Sequence, residues 1–421
     1  MRVLVLFFTL LFASVQGFTQ NSVRDSIKKL TDTDYQLMLK ELGINDASHT
    51  KATDTYTLPD PLVFRNGKKV TSARQWAQRK TEIKEDFDSE IYGRIPDQLP
   101  SVEWSVYESK NTTFGNYRVE EKHLIGKVDN SSWSQIRVNI ELTLGIPMGN
   151  SKAVPVILLL AGDMPGQQST DSSWLEQILE KGWGFAIINP LSVQPDNGAG
   201  LRSGIIGLVN KGQSRKPDDW GALKAWTWGV SKAIDYFEKD PDVDTKRIGV
   251  AGLSRYGKAA LVAMAYDTRI TTGFIGSSGA GGAKILRRSV GEQVSFLASG
   301  MEYHWFAPNF IKYGGPLTPN DLSVDAHELI ALCAPRPVFI SVGSRDLDKS
   351  WIDPEGMFIA AVHAGPVYKL LGAKGIESNE MPPVGEGLMS DDIAFRQHEK
   401  GHELGPNWPY FIEFADKYFA E

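Results

Sequence analysis

Short apolar runs and amphipathic stretches alternate along most of the chain. Apolar and polar residues alternate in Ile136–Leu144, which is typical of a strand with one buried face. Val154–Ala161 and Gly184–Asn189 are continuous apolar runs, as expected of parallel strands buried on both faces. In Trp220–Phe237, apolar residues spaced four, three and four positions apart predict a helix with one apolar face. An apolar strand, Arg247–Gly252, follows this helix.

The same alternation continues to the end of the chain. It predicts, in order, a helix after Ser254, a strand Thr272–Ile275, a loop-rich stretch 277–325, a strand Arg336–Val342, a helix from about Pro354 with Asp353 as its cap, and a last helix Pro409–Phe419. Strands alternating with helices indicate an α/β fold, in which a mostly parallel sheet has helices on both faces.

The first hundred residues have a different pattern. Residues 22–48 and Trp76–Tyr92 have helical apolar spacing, the prolines at 59 and 61 interrupt them, and strand patterns begin at Asn116. We therefore expect residues 18–110 to form a helical N-terminal segment packed on the main body. The main domain is then residues 111–421.

Residues 1–17 have the features of a secretory signal peptide. Arg2 precedes an apolar core, Val3–Ala13, and small residues follow at Val15 and Gly17. The apolar core is too short to cross a bilayer as a helix, and no other apolar stretch of the chain approaches that length. We expect an exported protein, secreted or periplasmic, whose mature chain is soluble and has no membrane span.

Composition narrows the choice of partners and of stabilising bonds. The chain has 421 residues, of which 42% are hydrophobic and 23% charged, so it can bury a full core. Its formal net charge is −6 and it has no long basic run, which argues against nucleic-acid binding. The single cysteine, Cys333, lies in an apolar setting and cannot form an intramolecular disulfide, so we expect it in the core.

Ser254 is the main candidate for chemistry. It lies where a predicted strand turns into a predicted helix, in Gly252-Leu253-Ser254-Arg255-Tyr256-Gly257. Such an elbow exposes the serine hydroxyl at the carboxyl end of the sheet, with the helix's first N–H groups directed at a developing oxyanion. The second glycine comes one position later than in Gly-x-Ser-x-Gly, and the alternative is an ordinary serine that caps the helix.

The residues around Ser254 resemble those of a known family. Gly-Leu-Ser254-Arg255-Tyr-Gly-Lys258 is similar to the Gly-Cys-Ser-Arg-x-Gly-Lys signature of the glucuronoyl esterases, carbohydrate esterase family fifteen, with Leu253 in place of the usual cysteine. The resemblance covers most of the chain from about residue 60 and includes the motifs Asp219-Trp220-Gly221-Ala222-Leu223, Ala225-Trp226-Thr227-Trp228-Gly229, Ser278-Gly279-Ala280-Gly281-Gly282 and Trp351-Ile352-Asp353-Pro354-Glu355-Gly356. It implies an α/β-hydrolase fold and a serine esterase of bacterial type.

A serine hydroxyl needs a base to become a nucleophile, and histidine is the usual one. In α/β-hydrolases the chain order is nucleophile, acid, histidine, which directs attention to His398 and His402. We favour His402, which follows a glycine and precedes the last helix, at the position where the family's histidine falls.

The acid that orients this histidine has two candidates. Part of the family carries a glutamate immediately before the Ser-Gly-x-Gly-Gly loop, where this chain has Ser277. Other members carry the acid just before the Trp-x-Asp-Pro motif, where this chain has Asp346 and Asp348. Asp348, three residues before Trp351, aligns better with the family. Asp346 fits the general Gly-x-x-Asp spacing and remains the alternate.

The resemblance also implies other site residues. Arg255 would stabilise the oxyanion, and Lys258, Glu292 and Trp351 fall where the family contacts the hydroxyls and ring of the uronic acid. His304-Trp305-Phe306 resembles a further family stretch, which we assign to the wall of the pocket. Metal-ligand spacing and a phosphate-binding loop are both absent from the sequence, so we expect no cofactor and no metal.

The leading hypothesis is a secreted serine esterase that cleaves the ester between (4-O-methyl-)glucuronic acid of glucuronoxylan and a lignin alcohol. One alternative is a serine esterase or peptidase of the same fold that acts on acetylxylan or peptides. Another is an inactive carbohydrate-binding relative, in which the missing glutamate at position 277 was not compensated. The oligomeric state is left open, with a monomer as the expectation.

Overall fold

The strands form one central sheet. A computed structural model describes residues 3–44, 55–149, 151–162 and 173–420. Within these ranges it describes the side chains from residue 22 onward. Its strands are β1 Val102–Phe114, β2 Tyr117–Val128, β3 Asn139–Pro147, β4 Val154–Leu160, β5 Gly184–Ile188, β6 Val243–Leu253, β7 Thr272–Gly276, β8 Val338–Gly343, β9 Gly387–Leu388 and β10 Ile393–His398. Across the sheet they lie in the order β1-β2-β3-β5-β4-β6-β7-β8-β10-β9.

Helices connect most of these strands. They are α1 Val3–Glu41, α2 Ala73–Asp86, α3 Ser173–Glu180, α4 Pro190–Val193, α5 Gly204–Val209, α6 Ala222–Phe237, α7 Arg255–Tyr266, α8 Val294–Leu297, α9 Ala326–Ala331, α10 Pro354–Leu370 and α11 Trp408–Phe419. A π-helical turn, Phe87–Ile91, directly follows α2. As predicted, Asp353 caps α10, accepting the Gly356 N–H at 3.0 Å.

The middle of the sheet is parallel and its first edge is antiparallel. Neighbouring strands run parallel from β5 through β4, β6, β7 and β8 to β10. β1, β2 and β3 form an antiparallel meander joined to β5, and β9 pairs antiparallel with β10. The carboxyl ends of the parallel strands therefore meet at one edge, where open α/β sheets bind their ligands.

Both faces of the sheet are covered, as the α/β pattern predicts. In β4, Val156 and Leu158 belong to the buried cluster that includes α6, α7 and α10, whereas Ile157 between them packs with α3 and α11. This alternation explains the continuous apolar run of β4, because successive side chains point to opposite faces and both faces are buried.

Most predicted elements are confirmed, but β1 begins earlier than expected and neither β9 nor β10 was predicted. The predicted strands between residues 136 and 342 coincide with β3 to β8, within a few residues at their ends. β1 begins at Val102, before the strand pattern noticed at Asn116, and the boundary expected at residue 110 falls inside it. The strand β10 was not predicted at all. The division into an N-terminal segment and a main domain stays a prediction.

The N-terminal helix packs against loops of the main body. Asp34 of α1 is buried and accepts a hydrogen bond from the Tyr303 hydroxyl at 2.9 Å. Tyr35 donates to the Ala298 carbonyl at 3.1 Å. The expected signal peptide, residues 1–17, stays a prediction: Met1 and Arg2 lie outside the described residues. In the part of the chain that the structure describes, the helices lack the combined length and apolar character needed to cross a membrane.

Cys333 lies in the core, as the sequence predicts. It is fully buried, and its thiol contacts the Leu329 carbonyl at 3.7 Å. Burial raises the pKa of this thiol to about 11, so the thiolate is disfavoured at neutral pH. Cys333 is therefore an inert core residue.

A buried histidine in α9 is expected to make the fold sensitive to acid. His327 Nε2 lies 2.8 Å from the Pro59 carbonyl, and burial lowers the His327 pKa to about 4. The pKa of His327 in the folded protein is below the ordinary 6.5. The stability that the neutral ring contributes is therefore complete at higher pH and is lost as pH falls from about 6.5 toward 4. We expect the free energy of unfolding to fall by about 2 kcal/mol between pH 7 and pH 5 through this group.

Urea denaturation of the wild type and of His327→Gln at these two pH values measures the contribution. The variant should lose most of this pH dependence. His363→Gln, which replaces an exposed histidine whose ring centroid lies 6.0 Å from that of His327, should retain it. An unchanged pH dependence in His327→Gln would contradict the assignment.

Candidate active site

Ser254 lies on a sharp turn between β6 and α7. Its backbone has φ 59° and ψ −127°, in the left-handed region that residues other than glycine rarely adopt. The Ser254 N–H donates to the Gly276 carbonyl of β7 at 2.8 Å, which fixes the turn to the neighbouring strand. The side chain makes no capping hydrogen bond to α7. This conformation matches a nucleophile elbow and not an ordinary helix cap.

Close steric contacts explain why the two positions that flank the elbow are glycines. A Cβ at Gly252 would lie 2.2 Å from the Tyr256 carbonyl oxygen, because the first turn of α7 folds back over β6. A Cβ at Gly257 would lie 2.6 Å from the carbonyl oxygen of Gly276 in β7. The second glycine is therefore needed one position late, where the helix passes closest to the adjacent strand.

The loop after β8 and the loop after β10 bring a carboxylate and an imidazole together. His402 Nδ1 lies 2.7 Å from Asp348 Oδ1. The Asp348 side chain is almost fully buried, whereas 15% of the His402 side chain is exposed. Because an ionised carboxylate only accepts, the Nδ1–H must be the donor, and Nε2 is left as the basic nitrogen of the ring.

Asp348 is held by further hydrogen bonds. Its Oδ2 accepts from the Ser277 hydroxyl at 2.7 Å and from the Gly343 N–H at 2.9 Å, and the Lys349 N–H donates to Oδ1 at 2.7 Å. Burial alone would raise the pKa of Asp348, but the bonds from His402, Ser277 and Lys349 outweigh it and lower that pKa. Asp348 is thus an ionised acceptor aimed at His402.

Position 277, where part of the family has a glutamate, also faces this carboxylate. Ser277 follows β7 directly, is buried, and has φ 38°. Its hydroxyl donates to Asp348, the candidate acid. Asp346, the alternate acid, is exposed, and among the described residues it makes no hydrogen bond or ion pair with His402. The structure therefore brings Asp348, and not Asp346, to the histidine.

Close backbone contacts place the His402 loop over the elbow. A Cβ at Gly276, whose carbonyl holds the Ser254 N–H, would lie 2.1 Å from Leu404 Cδ2. A Cβ at Gly401 would lie 2.7 Å from the Leu347 carbonyl oxygen in the loop that carries Asp348. The ends of β6, β7, β8 and β10 thus converge, and they carry the serine, histidine and aspartate singled out in the sequence.

Arg255 is fixed by a carboxylate that the sequence analysis missed. Arg255 Nη1 donates to Asp196 Oδ2 at 2.5 Å, while Asp196 Oδ1 contacts His304 Nε2 at 3.0 Å and accepts the Trp305 indole N–H at 2.6 Å. Burial alone would raise the pKa of Asp196, but His304, Arg255 and Trp305 together lower it strongly. Burial also lowers the pKa of His304, so this ring is neutral and donates through Nε2.

The sequence did contain a signal for Asp196. It lies a few residues beyond β5, in the polar stretch Asp196-Asn197-Gly198, at the same edge of the sheet as Ser254. Polar residues after the carboxyl end of a buried parallel strand are candidates for the site in any α/β fold. His304 and Trp305, assigned to the pocket wall from sequence, contact this aspartate directly.

Lys258 and Glu292 form a buried pair close to the elbow. Lys258 Nζ donates to the Ser278 carbonyl at 2.8 Å, to the Ala280 carbonyl at 2.7 Å and to Glu292 Oε2 at 2.6 Å. All three ammonium hydrogens are therefore used within the protein. Lys258 is consequently a fixed, buried cation and not the solvated residue that its helix position would permit.

Trp351 forms an exposed wall between this pair and His402. It is 45% exposed, and its ring centroid lies 6.3 Å from that of His402. The Trp351 carbonyl accepts the Glu292 N–H at 2.6 Å, which ties the tryptophan to the buried pair. A large aromatic face left open beside the histidine suits the C–H surface of a sugar ring.

The described side chains were compared with the ligand clusters that metal ions need. Among the described residues, no cluster of three or more histidine, cysteine, aspartate or glutamate side chains has the arrangement to hold a metal ion. At this edge of the sheet the structure brings together a serine, a histidine, a carboxylate and a fixed cation, the kinds of group that acyl transfer uses.

Known proteins share this fold and this organisation. A family model described as "Glucuronyl esterase, fungi" matches residues 213–372. A CE15 glucuronoyl esterase from Teredinibacter turnerae is 41% identical, with a TM-score of 0.86, over 92% of this chain and 100% of that one. A carbohydrate esterase of an unknown prokaryotic organism is 32% identical over 87% of this chain and 90% of its own length. A 4-O-methyl-glucuronoyl methylesterase from Wolfiporia cocos is 30% identical over 75% of this chain and 72% of its own length.

The mostly parallel sheet, with helices on both faces and a serine elbow after β6, defines an α/β-hydrolase. Within that class, this chain belongs to the glucuronoyl esterases of carbohydrate esterase family 15, as the resemblance around Ser254 predicts. It is a carboxylic ester hydrolase.

Proposed function

We propose that the chain hydrolyses esters whose acyl part is 4-O-methyl-glucuronic acid, and that Ser254, His402 and Asp348 form its catalytic triad. The observation that carries the triad is the 2.7 Å contact from His402 Nδ1 to Asp348 Oδ1, at the same sheet edge as the strained Ser254. The substrate class is supported by relatives that are named glucuronoyl esterases and 4-O-methyl-glucuronoyl methylesterases.

In the first half of the reaction, Ser254 Oγ attacks the ester carbonyl carbon while His402 Nε2 takes the hydroxyl proton. The imidazolium that forms is stabilised by the ionised Asp348 at Nδ1. The tetrahedral intermediate then collapses: the carbon–oxygen bond to the alcohol breaks, and the alcohol leaves with the proton from His402. Water repeats the same steps on the acyl-enzyme and releases the uronic acid and the free serine.

The oxyanion is stabilised by Arg255. Its N–H belongs to the first turn of α7, and its guanidinium is held by Asp196 through Nη1. In the described contacts only Nη1 is engaged with a carboxylate, so donors on the other nitrogens remain for the substrate oxygen. A cation held in place before the reaction needs no reorganisation when charge develops.

The acyl part would bind against Glu292 and Trp351, with Lys258 supporting them. Of the Glu292 carboxylate, only Oε2 is hydrogen-bonded to described residues, so Oε1 can accept a sugar hydroxyl. Trp351 offers its exposed face to the ring. Lys258 orients the Glu292 carboxylate and has no ammonium hydrogen left for a ligand.

The alcohol is expected to be loosely specified. It must leave past His402, whose side chain is partly exposed at the wall of the site. An open wall of this kind accepts bulky and varied groups, which supports a lignin alcohol esterified to glucuronoxylan as the natural substrate. Export through the N-terminal signal peptide would bring the enzyme to such a polymer outside the cytoplasm.

Turnover of a small panel of substrates tests the proposal. Methyl glucuronate should be hydrolysed in clear preference to methyl galacturonate, acetylated xylan and a peptide ester, which would rank first for an acetylxylan esterase or a peptidase of the same fold. Binding of glucuronate without turnover of any ester would instead identify an inactive carbohydrate-binding relative. Preference for an acetyl or peptide substrate would overturn the proposed acyl specificity.

Asp196 is expected to act as a positioning residue for Arg255. Asp196→Asn keeps the shape of the side chain but removes the charge that fixes the guanidinium. We expect kcat for methyl glucuronate to fall by about tenfold to a hundredfold with a small change in KM, because the oxyanion develops only in the transition state. Asp196→Glu, which keeps the charge, should recover part of the loss.

The exposed pair of Arg94 and Asp218, whose Nε and Oδ2 atoms lie 2.9 Å apart, provides the matched control. Asp218→Asn removes the same kind of contact at the surface and should leave kcat unchanged. If Asp196→Asn lowered only the melting temperature, the residue would have a purely structural role.

A further inference from the structure

A polar cavity of about 380 Å³ begins beside the proposed oxyanion arginine. Arg255 lies on its wall together with Asp196 and Glu302 of the main body, and α1 contributes Lys28 and Asp32. Neither His402 nor Trp351 belongs to its lining. The cavity therefore lies on the Arg255 side of the site, between the main body and the N-terminal helix.

On the main-body side of this cavity, Glu302 has a carboxylate that is not used in the described hydrogen bonds. Its backbone N–H and carbonyl bond to Ser299 and to Trp305, but its carboxylate makes no hydrogen bond or ion pair with any described residue. Burial, and after it the charge of Asp196, raise the pKa of Glu302 to about 7 against the opposing charge of Arg255. An acceptor that faces a cavity and has no donor from the described residues is available to a ligand's hydroxyl groups.

The geometry of the reaction decides which part of the substrate reaches Glu302. The alcohol oxygen takes its proton from His402, so the alcohol must lie on the histidine side of the reacting carbonyl. The carbonyl oxygen must face Arg255. The remaining extension of a glucuronoyl ester is the sugar chain linked to the uronic acid, and the cavity on the Arg255 side is open to it.

The charges of the cavity indicate the class of ligand. Lys28 and Arg255 provide two positive charges, and Asp32 and Asp196 provide two negative ones, with Glu302 between its neutral and ionised forms. A wall of mixed sign selects neither an anion nor a cation. Carboxylates among such groups suit a neutral ligand rich in hydroxyl groups, which donates hydrogen bonds to them.

We propose that Glu302 accepts hydrogen bonds from the hydroxyl groups of the neutral sugar that carries the glucuronoyl group, and that this cavity is a glycan subsite. The inference rests on the proposed esterase function. It makes Glu302 a specificity-determining residue: the enzyme would favour a glucuronoyl group still attached to its sugar chain over the free uronate ester.

Two substrates with the same alcohol test this subsite. One is the benzyl ester of glucuronic acid, and the other is the benzyl ester of the same acid linked to xylotriose. The wild type should have a higher kcat/KM for the longer substrate. Glu302→Ala should reduce the ratio of the two kcat/KM values by about tenfold or more, since a hydrogen bond to a charged acceptor is lost. Glu302→Gln, which keeps one acceptor oxygen, should lose less.

The short ester separates this inference from the proposed function. Its turnover should be nearly unchanged in Glu302→Ala, and Glu413→Gln, an exposed replacement on α11, should leave both substrates unaffected. If Glu302→Ala hydrolysed both esters with the wild-type ratio, the subsite would be overturned and the esterase function would stand. A change in preference among different alcohols, with an unchanged glycan ratio, would also overturn it. Failure of the wild type on both esters would instead refute the proposed function.

Discussion

Replacing Ser254 with alanine is expected to lower kcat for methyl glucuronate by about 10⁴-fold or more, and His402→Ala should have a similar effect. The serine and histidine act as one unit, because the hydroxyl attacks only as its proton moves to the imidazole. The double variant should therefore be hardly slower than either single one. Steady-state kinetics, with binding of glucuronate measured separately, would report the loss in kcat.

A distant histidine provides the control for this prediction. His363, on α10, is exposed, and His363→Ala should keep full activity. Melting temperatures of all variants should stay close to that of the wild type, since neither Ser254 nor His402 belongs to the core. Normal turnover by Ser254→Ala or by His402→Ala would remove the residue concerned from the mechanism.

The second large effect concerns the acid. Asp348→Asn is expected to lower kcat by on the order of 10⁴-fold, because an amide can present its N–H₂ group to His402 and favour the wrong tautomer. Asp346→Asn, two residues earlier in the same loop, should cost less than about tenfold, since Asp346 is exposed and does not contact the histidine. The pair is a matched comparison within one loop, and the opposite ranking would give the role to Asp346.

A glutamate at position 277 adds a sharper version of this test. Ser277 Oγ lies 2.7 Å from Asp348 Oδ2, so the two positions face the same region from the ends of β7 and β8. Introducing Ser277→Glu into the Asp348→Asn background should restore part of the activity. If both aspartates can be replaced without loss of turnover, the triad proposed for this chain is falsified.

The hydrophobic pattern predicted the middle of the fold well because both faces of its parallel strands are buried. In β4 and β5 nearly every position is apolar, so the strands stand out from the helices between them. β10 gave no such signal, because its second half carries Arg396, Gln397 and His398, all buried. The Arg396 guanidinium lies 3.8 Å from the centre of the Tyr410 ring and also bonds to Asn407, partners that only the folded chain supplies.

The residues of the candidate site also differ in how well the sequence alone could place them. The catalytic roles of Ser254 and His402 stay predictions, but their positions at the sheet edge were predictable because each depends on local sequence and on the chain order of its class. The choice between Asp346 and Asp348 was not, because residues two apart in a loop differ only in where the loop turns them. Asp196 was missed because its partners, Arg255, His304 and Trp305, come from distant parts of the chain.

The contact between Ser277 and Asp348 also bears on how this site can evolve. A carboxylate on either β7 or β8 can serve one imidazole, so a lineage can gain the second acid before it loses the first. No inactive ancestor is required between the two arrangements. In this chain Ser277 keeps that place polar and donates a hydrogen bond to Asp348.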